Sequence, residues 1–93
     1  MREINRENPH VTRIEEVLAV ADAYATAKEL SEARVSTIVF NDGQRLRRVR
    51  EENADLRSRT IDTAIQWFSD NWPKDATWPE GVTRPEPAMA VAS

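Results

Sequence analysis

The residues best suited to chemistry in this chain fall in one run, residues 31–40, SEARVSTIVF. Ser31 is a natural N-cap, its hydroxyl able to accept an amide proton that the first helical turn leaves unpaired, and Glu32 adds favourable charge at that end. A turn cluster, Asn41-Asp42-Gly43, closes the run. Between these limits Val35, Ile38 and Val39 recur at i, i+3 and i+4, which predicts a helix with one inward stripe. Ala33, Arg34, Ser36 and Thr37 then point elsewhere, with Glu32 beside them at the start. This set is small, polar or charged, and it suits the base edges that duplex DNA displays in its major groove. Arg34 can pair with guanine or a phosphate, Ser36 and Thr37 offer hydroxyls, and the Ala33 and Thr37 methyls suit thymine.

The run belongs to a longer stretch, residues 24–43, YATAKELSEARVSTIVFNDG, which reads as two helices joined by a tight turn. Its pattern of Ala25, Leu30, Ser31, Val35, Ser36 and Ile38 resembles the helix-turn-helix signature of repressor-like (Cro- and CI-type) proteins of phages and mobile elements. The resemblance implies that Ala25 lets the two helices approach closely, that Leu30 seals the turn, and that Val35 and Ile38 anchor the reading helix. Glu29 and Lys28 depart from the pattern, standing where glycine and an apolar residue are usual. A left-handed backbone at the turn costs glutamate about 1 kcal/mol that glycine is spared. The implied function is sequence-specific binding of double-stranded DNA by a transcriptional regulator, a dimeric repressor or accessory factor on a palindromic site, cytoplasmic and associated with the nucleoid. The plain alternative is that two helices meet at a short turn merely to close a small core.

With 93 residues the chain has room for one small domain. It contains no cysteine, which excludes a disulfide framework and any cysteine-based zinc site or nucleophile. His10 is the only histidine, beside Pro9, and reads as an exposed linker residue rather than a ligand or base. There is no paired nucleophile and base, no metal cluster and no phosphate-cradling glycine loop, so neither catalysis nor a cofactor is expected. No apolar run approaches a membrane span, and the first ten residues lack the apolar core of a signal peptide.

The net charge of −3 argues against DNA, since nonspecific affinity comes from neutralising phosphates. Its distribution tempers the objection. From Arg34 to Arg50 five arginines stand against one carboxylate, Asp42, while the acidic excess lies on either side. Arg45, Arg47 and Arg48 are candidate phosphate contacts, and three such contacts give a log-log salt slope of about −2.7. They could equally form a solvated face with Glu51 and Glu52 as intrahelical partners. Lys28, Arg57 and Arg59 are auxiliary phosphate candidates.

The expected architecture is all-α, a compact bundle of about four helices within residues 11–73, between a flexible arm (1–10) and a Pro-rich flexible tail (74–93). The first helix is predicted to open on a capping box, Thr12-Arg13-Ile14-Glu15, and to run to Lys28 with Ile14, Val17, Leu18, Ala21, Tyr24 and Ala25 on one side. Leu46 and Val49 mark the inner side of a short basic helix. Ser58 is a plausible N-cap for a last helix whose stripe is Ile61, Ile65, Phe68 and Trp72. Trp67 lies off that stripe. Together with Asn71 and Trp72 it suggests a dimer or partner interface, the alternative being that it folds over the first helix. Trp78 can fold back near Trp72 or stay free.

Two alternatives stay open at this stage. Residues 44–51 followed by 58–71 could be the operative helix-turn-helix, though its leading helix would be very short, and residues 35–40 could pass for a buried strand. In function, the competing class is a protein-interaction module, an antiactivator or antitoxin that keeps the helix-turn-helix shape and binds a partner protein through its Trp67 side. The negative net charge favours that rival.

Overall fold

The computed structural model describes residues 9–87. Within them the chain forms four helices and no strand: α1 (Pro9–Lys28), α2 (Glu32–Phe40), α3 (Arg45–Glu52) and α4 (Ser58–Asp70). The all-α class and the bundle of four helices therefore hold, and residues 35–40 are helical. Of the expected arm, residues 1–10, the first eight lie outside the described residues, and Pro9 and His10 are helical.

Helix α1 opens earlier than the capping box predicted. It begins at Pro9, so His10, Thr12 and Glu15 lie inside it and the N-cap does not fall at Thr12. A proline at the first helical position surrenders an amide that would have been unpaired there anyway, and its fixed φ suits the helix. The inner face of α1 is Val17, Val20, Ala21 and Tyr24, all buried, with Ile14, Leu18 and Ala25 packed at its margins.

Helix α4 lies against α1 and contributes Ile61, Ile65 and Phe68 to the same core. Its first residue is Ser58, so the N-cap position falls to Arg57, one residue before the expected cap, with no side-chain hydrogen bond. Tyr24 is the aromatic hub between the two helices, its ring edge-on to Trp67 at 5.5 Å and to Phe68 at 5.4 Å. Such edge-to-face pairs add about 0.5–1.5 kcal/mol beyond the area they bury. Burial also raises the Tyr24 phenol above its ordinary pKa. Val35 from α2, Leu46 and Val49 from α3, and Leu56 from the following connection complete the core.

Beyond α4 the prolines allow no further helix among the described residues, and the chain turns back along α4. Trp72 and Trp78 meet edge-on at 4.8 Å, and each indole N–H donates to a carbonyl four residues on, Ala76 and Val82. Farther along, the Arg84 guanidinium donates to the Ser69 carbonyl at 2.8 Å and to its hydroxyl at 3.0 Å. The Ser69 hydroxyl donates to Pro85 O and the Gln66 amide to Glu86 O, so α4 holds the returning segment at two successive turns.

Candidate nucleic-acid interface

The junction of α1 and α2 is a three-residue turn, Glu29-Leu30-Ser31. Leu30 N–H donates to Ala25 O at 2.9 Å and Glu29 N–H to Thr26 O at 3.3 Å, a pair of bonds that defines a Schellman ending for α1. The ending requires a left-handed residue, and Glu29 occupies it at φ +57. The backbone thus makes the turn that glycine usually makes, at the cost of a strained glutamate. Ser31 then caps α2 as expected, its Oγ accepting Arg34 N–H at 3.1 Å. At the far end Asn41 takes the left-handed region and donates its backbone N–H to Thr37 O. Gly43 has no such torsional role. A Cβ there would stand 3.1 Å from the Thr37 Oγ1, so the small residue keeps the α2–α3 connection close to α2.

The orientation of α2 about its axis differs from the one periodicity predicts. Ser36, expected among the base-reading residues, is completely buried, and Ile38, expected inside, is 40% exposed. The cause is a pair of hydrogen bonds. The Ser36 hydroxyl donates to Asp42 O at 2.5 Å and accepts Leu46 N–H at 3.1 Å, tying the middle of α2 to the turn before α3 and to its first residues. A buried hydroxyl with both partners in place is tolerated in a core, and here it sets which arc faces outward. At about 100° per residue, α2 is turned by roughly 70° from the stripe drawn through Val35, Ile38 and Val39. The outward arc consists of Ala33, Arg34, Thr37, Ile38 and Asn41, all exposed. Ser36 is therefore removed from the reading set. Ile38 and Asn41 stand on the outward arc in its place, and only a hydrogen-bonding partner for Ser36 in the next segment, invisible to a count of apolar residues, would have revealed this.

Glu32 also leaves the reading set. It is half-buried, and its carboxylate accepts from Arg50 at 2.8 Å while the same guanidinium reaches Asp22 at 2.6 Å. Burial pulls the Arg50 pKa down, but the Glu32 hydrogen bond and the two carboxylate charges outweigh it and hold it above the ordinary value. This clamp joins α3 to α1 and α2, next to the turn.

The arginines expected on phosphates divide into two groups. Arg48 and Arg45 lie 3.2 and 3.7 Å from Asp42, and the Arg45 guanidinium also sits over the Phe40 ring at 5.7 Å. The Gln44 amide and then the two arginines hold the Asp42 carboxyl below its ordinary 3.8, against the opposing effect of desolvation. Arg47 pairs with Glu52 at 2.9 Å and Glu51 at 3.8 Å, the solvated-face arrangement. Lys28, Arg34, Arg57 and Arg59, by contrast, make no ion pair among the described residues. Lys28 and Arg34 stand at the turn end of α2. At its other end Arg59 joins Val39, Phe40, Arg45, Thr60, Thr63 and Ala64 around a shallow groove of about 350 Å³.

Trp67 is half-buried and lies over Tyr24 of α1, while Asn71 at the end of α4 donates its side-chain amide back to Trp67 O. Trp72 is half-buried against Tyr24 and Trp78. The three residues expected at an interface are thus engaged with their own chain. The described residues contain no group of acidic or histidine side chains able to hold a metal, and none of their helices is long and apolar enough to cross a membrane. No family model matches the chain, and comparison with curated proteins and with solved structures returns no similar protein.

Proposed function

We propose that this chain is a sequence-specific double-stranded DNA-binding transcriptional regulator, a dimeric repressor or accessory factor, that reads the major groove with α2. The observation that carries the proposal is the outward arc of α2, held at a fixed angle by a tight turn and flanked by cations that make no ion pair among the described residues. Arg34 is the arc's one charged group and has no carboxylate partner among the described residues. Ala33 and Thr37 on either side of it are small enough to let the helix approach base edges. Lys28 at one end of α2 and Arg59 at the other supply positive charge where phosphates border the groove.

The rival, a module that binds a partner protein, draws on the net charge of −3 and on the internal pairing of Arg45, Arg47 and Arg48. Titration of labelled duplex DNA at two salt concentrations separates the two. The regulator binds duplex at low salt, and Arg34→Ala combined with Thr37→Ala abolishes its sequence preference. Undiminished preference in that variant moves the reading surface off α2, and no binding at low salt favours the partner-protein reading.

A further inference from the structure

Ile38 presents a further problem, because a large aliphatic side chain faces solvent on α2 while a serine of the same helix is sealed inside. Among the described residues it is the only exposed large hydrophobic side chain, and it lies on the arc with Ala33, Arg34, Thr37 and Asn41. The groups on that arc have narrow chemistry. Ala33 offers only a methyl. The Thr37 hydroxyl donates to Ala33 O at 3.0 Å, so its proton is already committed within the helix, and the side chain retains a methyl and spare lone pairs. Asn41 is exposed one turn beyond Ile38, and its side-chain amide has no partner among the described residues. The arc is therefore chiefly an array of methyl groups, with one guanidinium near its start and one amide at its end.

We infer that α2 recognises thymine 5-methyl groups, with Ile38 as the principal contact and Ala33 and Thr37 beside it. The inference rests on the DNA-binding reading and specifies which bases it selects. Of the four bases only thymine shows a methyl in the major groove, and apolar side chains are its natural partners there. A methyl contact needs no hydrogen-bond donor, which fits an arc whose hydroxyl proton is occupied. It also gives Ile38 the burial that the fold of the single chain denies it. Asn41 suits the adenine of an A·T pair, whose N6 and N7 an amide can engage together, and Arg34 suits a guanine. The site under α2 is thus A·T-rich, with a guanine toward the Ser31 end.

The test uses the whole 93-residue chain and a duplex selected with it from a random pool. Each thymine of that duplex is replaced in turn by deoxyuridine, which removes the methyl and leaves every hydrogen-bonding group in place. Affinity falls roughly four-fold for each methyl that was buried. In Ile38→Ala, a change at an exposed position, binding to the thymine duplex is weaker and the deoxyuridine penalty at one position disappears. Tight binding of the selected duplex with no deoxyuridine penalty at any position overturns the inference while leaving the DNA reading intact. The same penalties in Ile38→Ala as in the parent chain overturn the role given to Ile38. Failure to bind any duplex at low salt overturns the reading and the inference together.

Discussion

Ser36 and Asp42 show how single side chains orient the interface. The Ser36 hydroxyl joins both Asp42 O and Leu46 N–H, and both bonds lie at the seam between α2 and α3. In Ser36→Ala the Leu46 amide loses its side-chain partner in a buried place, and such an orphan costs about 1–3 kcal/mol. Urea denaturation is expected to show a loss of that size, whereas Thr37→Val, which removes a hydroxyl from an exposed position, stays within about 0.5 kcal/mol. A Ser36→Ala protein as stable as the parent would remove the seam as the cause of α2's orientation. Asp42 adds a dependence on pH. Its pKa is lower in the folded chain than the ordinary 3.8, chiefly through the Gln44 amide, so its contribution is complete above that value. It is lost as pH falls through the depressed folded value. Thermal melts from pH 5 down to pH 2 (roughly the acid range in which such carboxylates titrate) should therefore fall less steeply for Asp42→Asn than for the parent. Neither effect could be read from the sequence. An apolar period assigns isoleucine to the inside and serine to the outside, and it carries no information about a carbonyl and an amide six and ten residues further on.

At the scale of the element, what the sequence made legible is what local chemistry decides. Ser31 caps α2 because a hydroxyl at that position meets the unpaired amides of the first turn, and the cap depends on nothing distant. Asn41-Asp42-Gly43 ends α2 because asparagine tolerates the left-handed region. The start of α1 was misplaced because a capping-box pattern stays attractive even where a helix already runs through it. The turn between α1 and α2 tests the balance directly. Glu29 sits at φ +57, where a side chain costs about 1–2 kcal/mol, while glycine there costs roughly 0.5–1 kcal/mol in the unfolded chain's extra freedom. Glu29→Gly is therefore expected to stabilise the chain by about 0.5–1 kcal/mol, read as a higher denaturation midpoint with an unchanged slope. The turn geometry is already formed, so duplex binding should not change. A destabilised Glu29→Gly protein would mean that the glutamate side chain makes up for its own strain.

For the whole molecule the question is which charges are free to act on a partner. Counting residues made the segment from Arg34 to Arg50 look like a basic surface, but folding gives Asp42 to Arg45 and Arg48, Glu51 and Glu52 to Arg47, and Asp22 and Glu32 to Arg50. The Arg47 pairs are the intrahelical ones the sequence offered as an alternative; the others were hidden because Asp22 and Glu32 come from other helices and because the Asp42 turn folds back on α3. Exposed pairs of this kind add little stability, about 0–1 kcal/mol each, yet each one occupies an arginine that a phosphate would have to win from its partner. Of the cations that make no ion pair among the described residues, Lys28, Arg57 and Arg59 lie outside the segment that looked most basic, and Arg34 stands at its start. If they are the phosphate contacts, three of them give a log-log salt slope of about −2.7, and replacing two brings it to about −0.9. Arg57→Gln with Arg59→Gln should therefore flatten the salt dependence of duplex binding by roughly 1.8 in slope. Arg45→Gln with Arg48→Gln should change it much less, because both guanidiniums already face Asp42. Slopes measured between about 50 and 200 mM salt decide the matter. If the second pair flattens the curve and the first does not, the DNA lies along α3 and the flanks of α2 are not where the backbone is held.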